Sequence, residues 1–182
     1  MEDSEKKAIL DLARKSIESN FKHHTPEMSK YRNEFYESKK GAFVTLHKHK
    51  DLRGCIGYIV GFKPLSETIV EMARAAAFRD PRFPPVRENE LKEIDIEVSI
   101  LSELIRVETA EDIVVGRDGL LIEHPYGSGV LLPQVPIEWG WDRHTYLVHL
   151  CRKAGLSDDA WTEQESKLYR FTAEVFSERE FE

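Results

Sequence analysis

Hydrophobic and polar residues change their spacing several times along the chain, and each change marks a new predicted element. Apolar side chains recur at helical spacing through residues 3–21, which predicts an amphipathic helix. From residue 42 the spacing becomes two, in runs at 42–46 and 52–60 that flank a short polar segment. Two alternating runs joined by polar residues predict a β-hairpin.

The rest of the chain alternates between the same two periodicities. Because helices interleave with hairpins, we expect an α+β fold with mixed, largely antiparallel sheets and flanking helices. A run of small residues at 75–77 indicates that one helix packs closely against a sheet. The remaining predicted elements are that helix from residue 65 to Asp80, a strand at 94–101, a short strand or helix around 113–115, a hairpin at 119–132, a helix from Asp142 to Gly155 and a last strand at 169–175.

One polar stretch lacks either periodicity. Residues 22–41 are predicted to form a solvated linker, which Tyr31 and Tyr36 fasten to the body of the protein. His23 and His24 lie in this linker, but adjacent side chains point apart and no further ligand follows at metal-binding spacing. We therefore expect no metal site there.

Composition is typical of a folded soluble protein. The chain has 182 residues, 41% of them hydrophobic and 32% charged, and this length can bury a core without disulfides or metal. The formal net charge of −7 argues against a surface that coats nucleic acid, although it does not exclude a local basic groove. Two cysteines make no disulfide framework, no apolar run is long enough to span a bilayer, and the first residues lack the apolar core of a signal peptide. We therefore expect a cytoplasmic protein that does not associate with membranes.

The segment Leu52–Gly57 combines a cation, a thiol and two glycines within six residues. In an extended strand Arg53 and Cys55 point to the same face, and a neighbouring guanidinium favours the thiolate. Gly54 and Gly57 leave bare backbone beside them, as strands do where a ligand or another backbone approaches closely. This interpretation predicts a reactive thiol with a depressed pKa.

A packing interpretation of the same segment stays open. Cysteine is often buried as a small hydrophobe, and glycine also permits tight helix packing. Arg53 could simply pair with Asp80 or Glu97 to hold parts of the protein together. The sequence contains no dinucleotide-binding loop, no P-loop and no local Cys-His signature, so it predicts no cofactor and no complete catalytic set.

The motif Leu52-Arg53-Gly54-Cys55-Ile56-Gly57 resembles the signature of the AMMECR domain family, whose members are uncharacterised proteins. The resemblance continues, in order, along nearly the whole chain. The further matching segments are residues 41–46, 80–86, 96–101 and 131–135, then Trp141, and then residues 153–156 before Trp161.

The resemblance implies a single AMMECR-like domain over residues 1–182, with two unequal lobes and a cleft between them. The larger lobe is formed from both chain ends and the smaller from the middle. The family brings no established activity, cofactor or partner. Its members are sometimes fused to, or neighbours of, Memo-like and radical-SAM proteins, so association with such proteins is an expectation by analogy.

The family's motifs gather near the cleft, and this clustering implies further site residues. We expect Asp80, Arg82 and Glu97 to lie near Cys55, with Glu97 as an acid or base. Gln134 is expected to orient a polar group. The complete expected set is Cys55 and Glu97 as catalytic residues, and Arg53, Gly54, Gly57, Asp80, Arg82, Phe83 and Gln134 as binding residues.

Two functional hypotheses and one structural alternative remain. In the first, the chain binds a ligand in the cleft lined by Leu52–Gly57 and acts as an enzyme, with Cys55 as nucleophile or redox thiol. In the second, it is a non-catalytic module that binds protein or RNA in the same cleft through Phe83 and the arginines Arg53, Arg79 and Arg82. In the structural alternative, the motif residues only hold the two lobes in register.

Overall fold

The computed structural model describes residues 1–22 and 26–181, which form two compact units. The first unit comprises Met1–Leu101 with Glu174–Glu182, and the second comprises Ser102–Ala173. In chain order the helices and strands are α1 (Asp3–Lys22), α2 (Glu34–Glu37), β1 (Ala42–Lys48), β2 (Asp51–Tyr58), α3 (Leu65–Phe78), β3 (Ile94–Leu101), β4 (Ile105–Arg106), β5 (Gly119–His124), β6 (Gly127–Leu131), α4 (Val135–Glu138), α5 (Arg143–Lys153), β7 (Lys167–Phe171) and β8 (Ala173–Ser177). The predicted α+β class is confirmed, while the predicted cleft stays a prediction.

The first unit is built on a four-stranded sheet in the order β2-β1-β3-β8. The central strand β1 pairs antiparallel with both β2 and β3. Alternation divides its residues between two faces, and Val44 and Leu46 are fully buried on the face that packs against helices α1 and α3. The other face of β1 carries Phe43, Thr45 and His47.

Helix α3 lies unusually close to the edge strand β2. A Cβ built on Gly54 would lie 3.1 Å from the carbonyl carbon of Ala76, and still closer to the carbonyl oxygen. The alanines at 75–77 are all buried, as the sequence-based prediction of close packing requires. Small side chains on the helix and a bare backbone on the strand together allow this approach.

The second unit has its own sheet, in the order β4-β7-β5-β6, and its own core. Helix α5 packs along β6, where a Cβ on Gly129 would meet the backbone nitrogen of Ala154 at 2.8 Å. Tyr146 on α5 is fully buried, and its hydroxyl lies 3.1 Å from the carbonyl oxygen of Asp118, to which it can donate. Asp142 caps α5, as predicted, by accepting a hydrogen bond from the Thr145 amide at 2.8 Å.

Several sequence-based predictions need correction. The single strand predicted at 169–175 is two strands, β7 and β8, which belong to different sheets. No strand or helix forms at 113–115, where Ile113 instead fills the second core. The linker prediction is partly confirmed, because Tyr31 and Tyr36 are buried with their rings edge to face 5.3 Å apart. The prediction for His23-His24 lies outside the described residues.

Among the helices of residues 1–22 and 26–181, none is both long and apolar enough to cross a membrane.

Candidate functional site

Cys55 stands in a row of three side chains that crosses the first sheet. Thr45 on β1 is directly opposite Cys55 on β2 and directly opposite Glu97 on β3. Residues opposite each other in paired strands project from the same face, so the thiol, the hydroxyl and the carboxylate share one face. The Thr45 hydroxyl donates to the Cys55 sulfur, with Oγ1 and Sγ 3.2 Å apart.

A β-bulge places Cys55 on this face. Leu52 is opposite His47, but Gly54 is opposite Leu46, so Arg53 is an extra residue in β2. The bulge therefore breaks the strict alternation on which the sequence-based prediction for Arg53 and Cys55 relied.

Asp80 and Arg82 form hydrogen bonds to the backbone of Cys55 on the side of β2 that has no neighbouring strand. The Cys55 amide donates to Asp80 Oδ2 at 2.9 Å, and the Cys55 carbonyl accepts from Arg82 Nη2 at 3.3 Å. The two side chains also pair with each other through Arg82 Nε to Oδ1, at 3.0 Å, and Nη2 to Oδ2, at 2.7 Å. The ion pair thus occupies the hydrogen-bonding positions that a further strand would take beside β2.

The local sequence explains how Asp80 and Arg82 reach this position. Helix α3 ends at Phe78, and the proline after Asp80 disfavours further helix. The Arg82 amide folds back onto Asp80 Oδ1 at 3.1 Å, and the Val86 amide bonds to the carbonyl of Ala77 at 2.8 Å. The loop is therefore tied to the end of α3, and Arg82 lies over the Phe83 ring at 5.4 Å from its centroid.

Burial keeps the Cys55 thiol neutral. Desolvation raises the pKa of Cys55, and the negative charges of Asp80 and Glu97 raise it further. The Thr45 hydrogen bond and the positive charge of Arg82 lower this pKa, but burial is the largest influence and prevails. The predicted depressed pKa is therefore wrong.

Arg53 is directed to a different carboxylate from those proposed. Its Nε and Nη2 atoms each lie 3.2 Å from an oxygen of Glu90, and both side chains are mostly buried. This pairing, helped by the Arg87 amide and by Lys48, lowers the pKa of Glu90 to about 2 despite the opposing effect of burial. Arg53 is therefore engaged by Glu90 and is not among the groups that shift the Cys55 pKa.

Asp80 is the most buried charged group of the site. Its side chain is 1% exposed, whereas that of Arg82 is 53% exposed. The Arg82 hydrogen bonds, followed by the amides of Cys55 and Arg82, hold the pKa of Asp80 well below its usual range despite the opposing effect of burial. The carboxylate is therefore a permanent anchor.

The two glycines of the motif have different neighbours. Gly54 faces helix α3 on the buried side of the sheet, whereas a Cβ on Gly57 would meet the ring of Phe43. Phe43 is directly opposite Gly57, so its ring covers the bare backbone. Both glycines are therefore accounted for by packing, which is the interpretation that the sequence left open.

Gln134 belongs to the second unit. It immediately precedes α4, and its side chain makes no capping hydrogen bond to that helix. Its expected role in orienting a polar group stays a prediction.

One cluster in the described residues has side chains suited to a metal ion. Ligand atoms of His124, Glu163 and Glu165 all lie within 4.8 Å of one another. However, His124 Nδ1 accepts a hydrogen bond from the Tyr126 amide at 3.3 Å, so Nε2 carries the proton and faces Glu163 at 3.2 Å. A metal ligand needs the opposite arrangement, with the second ring nitrogen donating. His124 therefore presents a protonated Nε2 to Glu163, and the cluster does not fit a metal.

The described part of the first unit also has a cavity of about 650 Å³, whose lining includes Arg79, Lys63 and Glu71 but not Cys55. Thr45 and Glu90 were not predicted as site residues, although Thr45 contacts Cys55 and Glu90 contacts Arg53 in the structure. Thr45 could have been predicted as the residue opposite Cys55 only if the bulge in β2 had been known.

Comparisons with known proteins find relatives that match most of this chain. The AMMECR1 family model matches residues 10–176. A protein of Thermococcus onnurineus (strain NA1) is 48% identical over 93% of this chain and 88% of its own length. Protein MJ0810 of Methanocaldococcus jannaschii is 51% identical over 81% of this chain and 77% of its own. The crystal structure of the uncharacterized protein PH0010 from Pyrococcus horikoshii superposes with a TM-score of 0.88, at 40% identity, over 98% of this chain and 93% of that one.

Proposed function

The chain belongs to the AMMECR1 family, and we propose that it binds a small polar ligand on the sheet face that carries Cys55. The observation that carries the proposal is the positioning of Cys55. Its amide, its carbonyl and its sulfur each have a dedicated side-chain partner, in Asp80, Arg82 and Thr45 respectively. A cysteine that only fills space needs none of these bonds.

The groups around Cys55 suit a ligand with both donors and acceptors. A neutral thiol is a weak donor, the Glu97 carboxylate is an acceptor, and the Arg82 guanidinium donates. Within the described residues Arg82 uses Nε and Nη2 for protein partners, so Nη1 is the atom that faces a ligand. The proposed ligand is therefore polar and carries an acceptor for Arg82.

A thiol-dependent enzyme is the second candidate. Two observations favour it, because the Thr45 hydroxyl donates to sulfur and Arg82 places positive charge nearby, and both stabilise a thiolate. A ligand that strengthened either effect would activate Cys55, with Glu97 as the nearby base. Binding is the better supported function because the pKa of the free protein's thiol is raised.

RNA or protein recognition by the arginines of the motif has less support. Arg53 is paired with Glu90, and Arg82 is paired with Asp80. A polyanion such as RNA is bound through net positive charge, which these two pairings remove, whereas a single polar ligand needs only the remaining Nη1 hydrogen bond of Arg82.

Alkylation of Cys55 by iodoacetamide provides the test. In a Cys151→Ala background the modification rate reports on Cys55 alone, and a panel of small carboxylates, amino acids and sugar phosphates is added in turn. We expect at least one compound to slow alkylation and raise the melting temperature, and Arg82→Gln to weaken both effects. Arg152→Gln is the matched control, since Arg152 makes a similar two-point pair with Asp158, at 2.7 Å for both bonds, on the second unit.

Two outcomes would count against the proposal. Either no compound protects Cys55, or protection is the same in Arg82→Gln as in the parent. Consumption of the protecting compound, abolished by Cys55→Ser, would instead establish the enzyme.

A further inference from the structure

The cavity of the first unit lies along one face of helix α3. Positions on α3 that are three or four residues apart share a face, and one such stripe lines the cavity. The members of this stripe are Glu67, Val70, Glu71, Arg74 and Phe78. The buried residues of α3 lie between these positions, and they include the alanines at 75–77. Because its other side is packed in the core, α3 forms a rigid wall of the cavity.

Part of the lining is apolar. Val70, Phe78 and Met28 are each half-buried, and Pro26 is buried. The Phe78 ring is held edge to face by the ring of Phe21 on α1, with centroids 5.7 Å apart. The cavity volume of about 650 Å³ lies within the roughly 300–1,000 Å³ of small-molecule sites. The cavity can therefore cover the hydrocarbon part of a small ligand.

Two arginines of the lining have no side-chain partner in the part of the chain that the structure describes. Arg74 and Arg79 are both exposed, and within that part neither side chain forms a hydrogen bond or an ion pair. The third cation of the lining differs, because Lys63 is paired with Glu71, which also accepts from the Tyr58 hydroxyl at 2.9 Å. Two guanidinium groups are therefore available to a ligand in the cavity.

The charges around the cavity favour a ligand with a single negative charge. Its described lining carries three cations, Lys63, Arg74 and Arg79, and two carboxylates, those of Glu67 and Glu71. One positive charge is left over, although the whole chain has a net charge of −7. A second negative charge on the ligand would meet the two carboxylates without a further cation. A wholly apolar ligand would cover guanidinium groups without offering them acceptors, which costs free energy.

We propose that this cavity binds a small monocarboxylate with an apolar chain. The carboxylate accepts hydrogen bonds from Arg74 and Arg79, since a guanidinium matches a carboxylate through two parallel N–H donors. The apolar chain lies against Val70 and Phe78, each of which is one turn of α3 from Arg74. The proposal is independent of the function proposed at Cys55, because Cys55 does not line this cavity.

Titration with octanoate, followed by two-dimensional amide NMR, tests the proposal. We expect octanoate to shift the amide signals of residues 67–79. Octanoate should bind at least roughly 60-fold more tightly than acetate, because burying three of its six additional methylenes contributes about fourfold each. Octanamide, which has the same chain and no charge, should bind more weakly than octanoate.

Substitutions separate the contribution of the charge from that of the chain. Arg74→Gln and Arg79→Gln should each weaken octanoate by roughly two- to fivefold, as for an exposed ion pair, and leave octanamide unchanged. Val70→Thr keeps the shape of the side chain but replaces a methyl group with a hydroxyl, so it should weaken octanoate and octanamide alike. Arg32→Gln is the matched control, since Arg32 is an exposed arginine of the same unit that does not line the cavity.

Four outcomes would overturn the proposal. Octanoate does not bind, octanamide binds as tightly as octanoate, the shifted signals centre on Cys55, or Arg32→Gln weakens octanoate as much as the cavity variants do. Tighter binding of octyl phosphate than of octanoate would assign the cavity to a phosphate headgroup and would also overturn the monocarboxylate.

Discussion

The substitution Gly54→Ala tests the close approach of strand and helix on which the candidate site depends. The new Cβ would lie 3.1 Å from the carbonyl carbon of Ala76, inside the roughly 3.5–4.0 Å that two carbon atoms prefer. The neighbouring oxygen is closer still, and both atoms belong to the helix backbone, so no side chain can turn aside. Helix α3 and strand β2 must therefore separate by about 0.5–1 Å.

The expected cost follows from this geometry. Overpacking a well-filled core usually costs about 1–3 kcal/mol, and a clash with backbone belongs near the upper end, at about 3 kcal/mol. For a chain of this size that corresponds to a fall in melting temperature of roughly 6–12 °C. Because Gly54 adjoins Cys55, the same displacement should also speed alkylation of the thiol.

Urea unfolding measured by circular dichroism provides the comparison. Asp51→Ala is the control, since Asp51 is an exposed residue of the same strand and should change stability by less than about 0.5 kcal/mol. A loss below about 1 kcal/mol for Gly54→Ala would refute the close approach, because overpacking of this kind costs more.

Substitutions at three further positions test individual features of the structure. Asp80→Asn should lower the free energy of unfolding in urea by about 2 kcal/mol. This is less than the roughly 3–5 kcal/mol lost when a fully buried ion pair is broken, because Arg82 is 53% exposed. Unchanged stability would contradict the anchoring role of Asp80. Arg53→Met removes the largest of the influences that lower the Glu90 pKa to about 2. The stability that this pairing contributes is present above the ordinary glutamate pKa and is lost as the pH falls towards 2. The stability difference between wild type and Arg53→Met should therefore shrink from pH 6 to about 2, and a constant difference would count against the pairing. Lys50→Gly should add about 0.5 kcal/mol, since Lys50 has φ +75°, whereas Lys50→Ala should add nothing.

The regular elements could be predicted because their signals are local. The strand predicted at 94–101 is β3 with the same bounds, and the helix predicted from residue 65 is α3. Both have a complete apolar stripe, and α3 also has Pro64 immediately before it and Pro81 shortly after it. Short elements such as α4 were missed, since four residues are too few to show a period.

The split of the last predicted strand shows what local patterns leave out. Alternation runs without interruption through Thr172, so residues 169–175 look like one strand. The pairing partners decide otherwise, because β7 lies between β4 and β5 while β8 adjoins β3. Which sheet a strand joins depends on contacts distant in sequence.

The sequence did not show which face of the sheet Cys55 occupies, and one extra residue in β2 decides it. Lys48 is opposite Asp51 and His47 opposite Leu52, and an unbroken continuation would place Cys55 opposite the fully buried Val44. The bulge at Arg53 shifts the register by one, so Cys55 is opposite Thr45 instead. A shift of one residue moves a side chain to the other face of a sheet, which explains why the sequence could not decide between a packing thiol and a site thiol.

The charge partners were predicted only in part for the same reason. Asp80 was expected near Cys55 from the family resemblance, and its carboxylate does accept the Cys55 amide. Arg53 was expected near the thiol, but the bulge directs it to Glu90. Ion pairs between distant residues depend on the register of the sheet as well as on residue type.

The pH dependence of Cys55 alkylation tests the central claim most directly. In Cys151→Ala, the iodoacetamide rate is measured against pH in the folded protein and again in urea, where the thiol has its ordinary pKa. A half-buried, neutral thiol held as a binding group predicts a midpoint at higher pH in the folded protein than in urea. A lower midpoint in the folded protein would show that Cys55 is an activated thiolate and contradict the account.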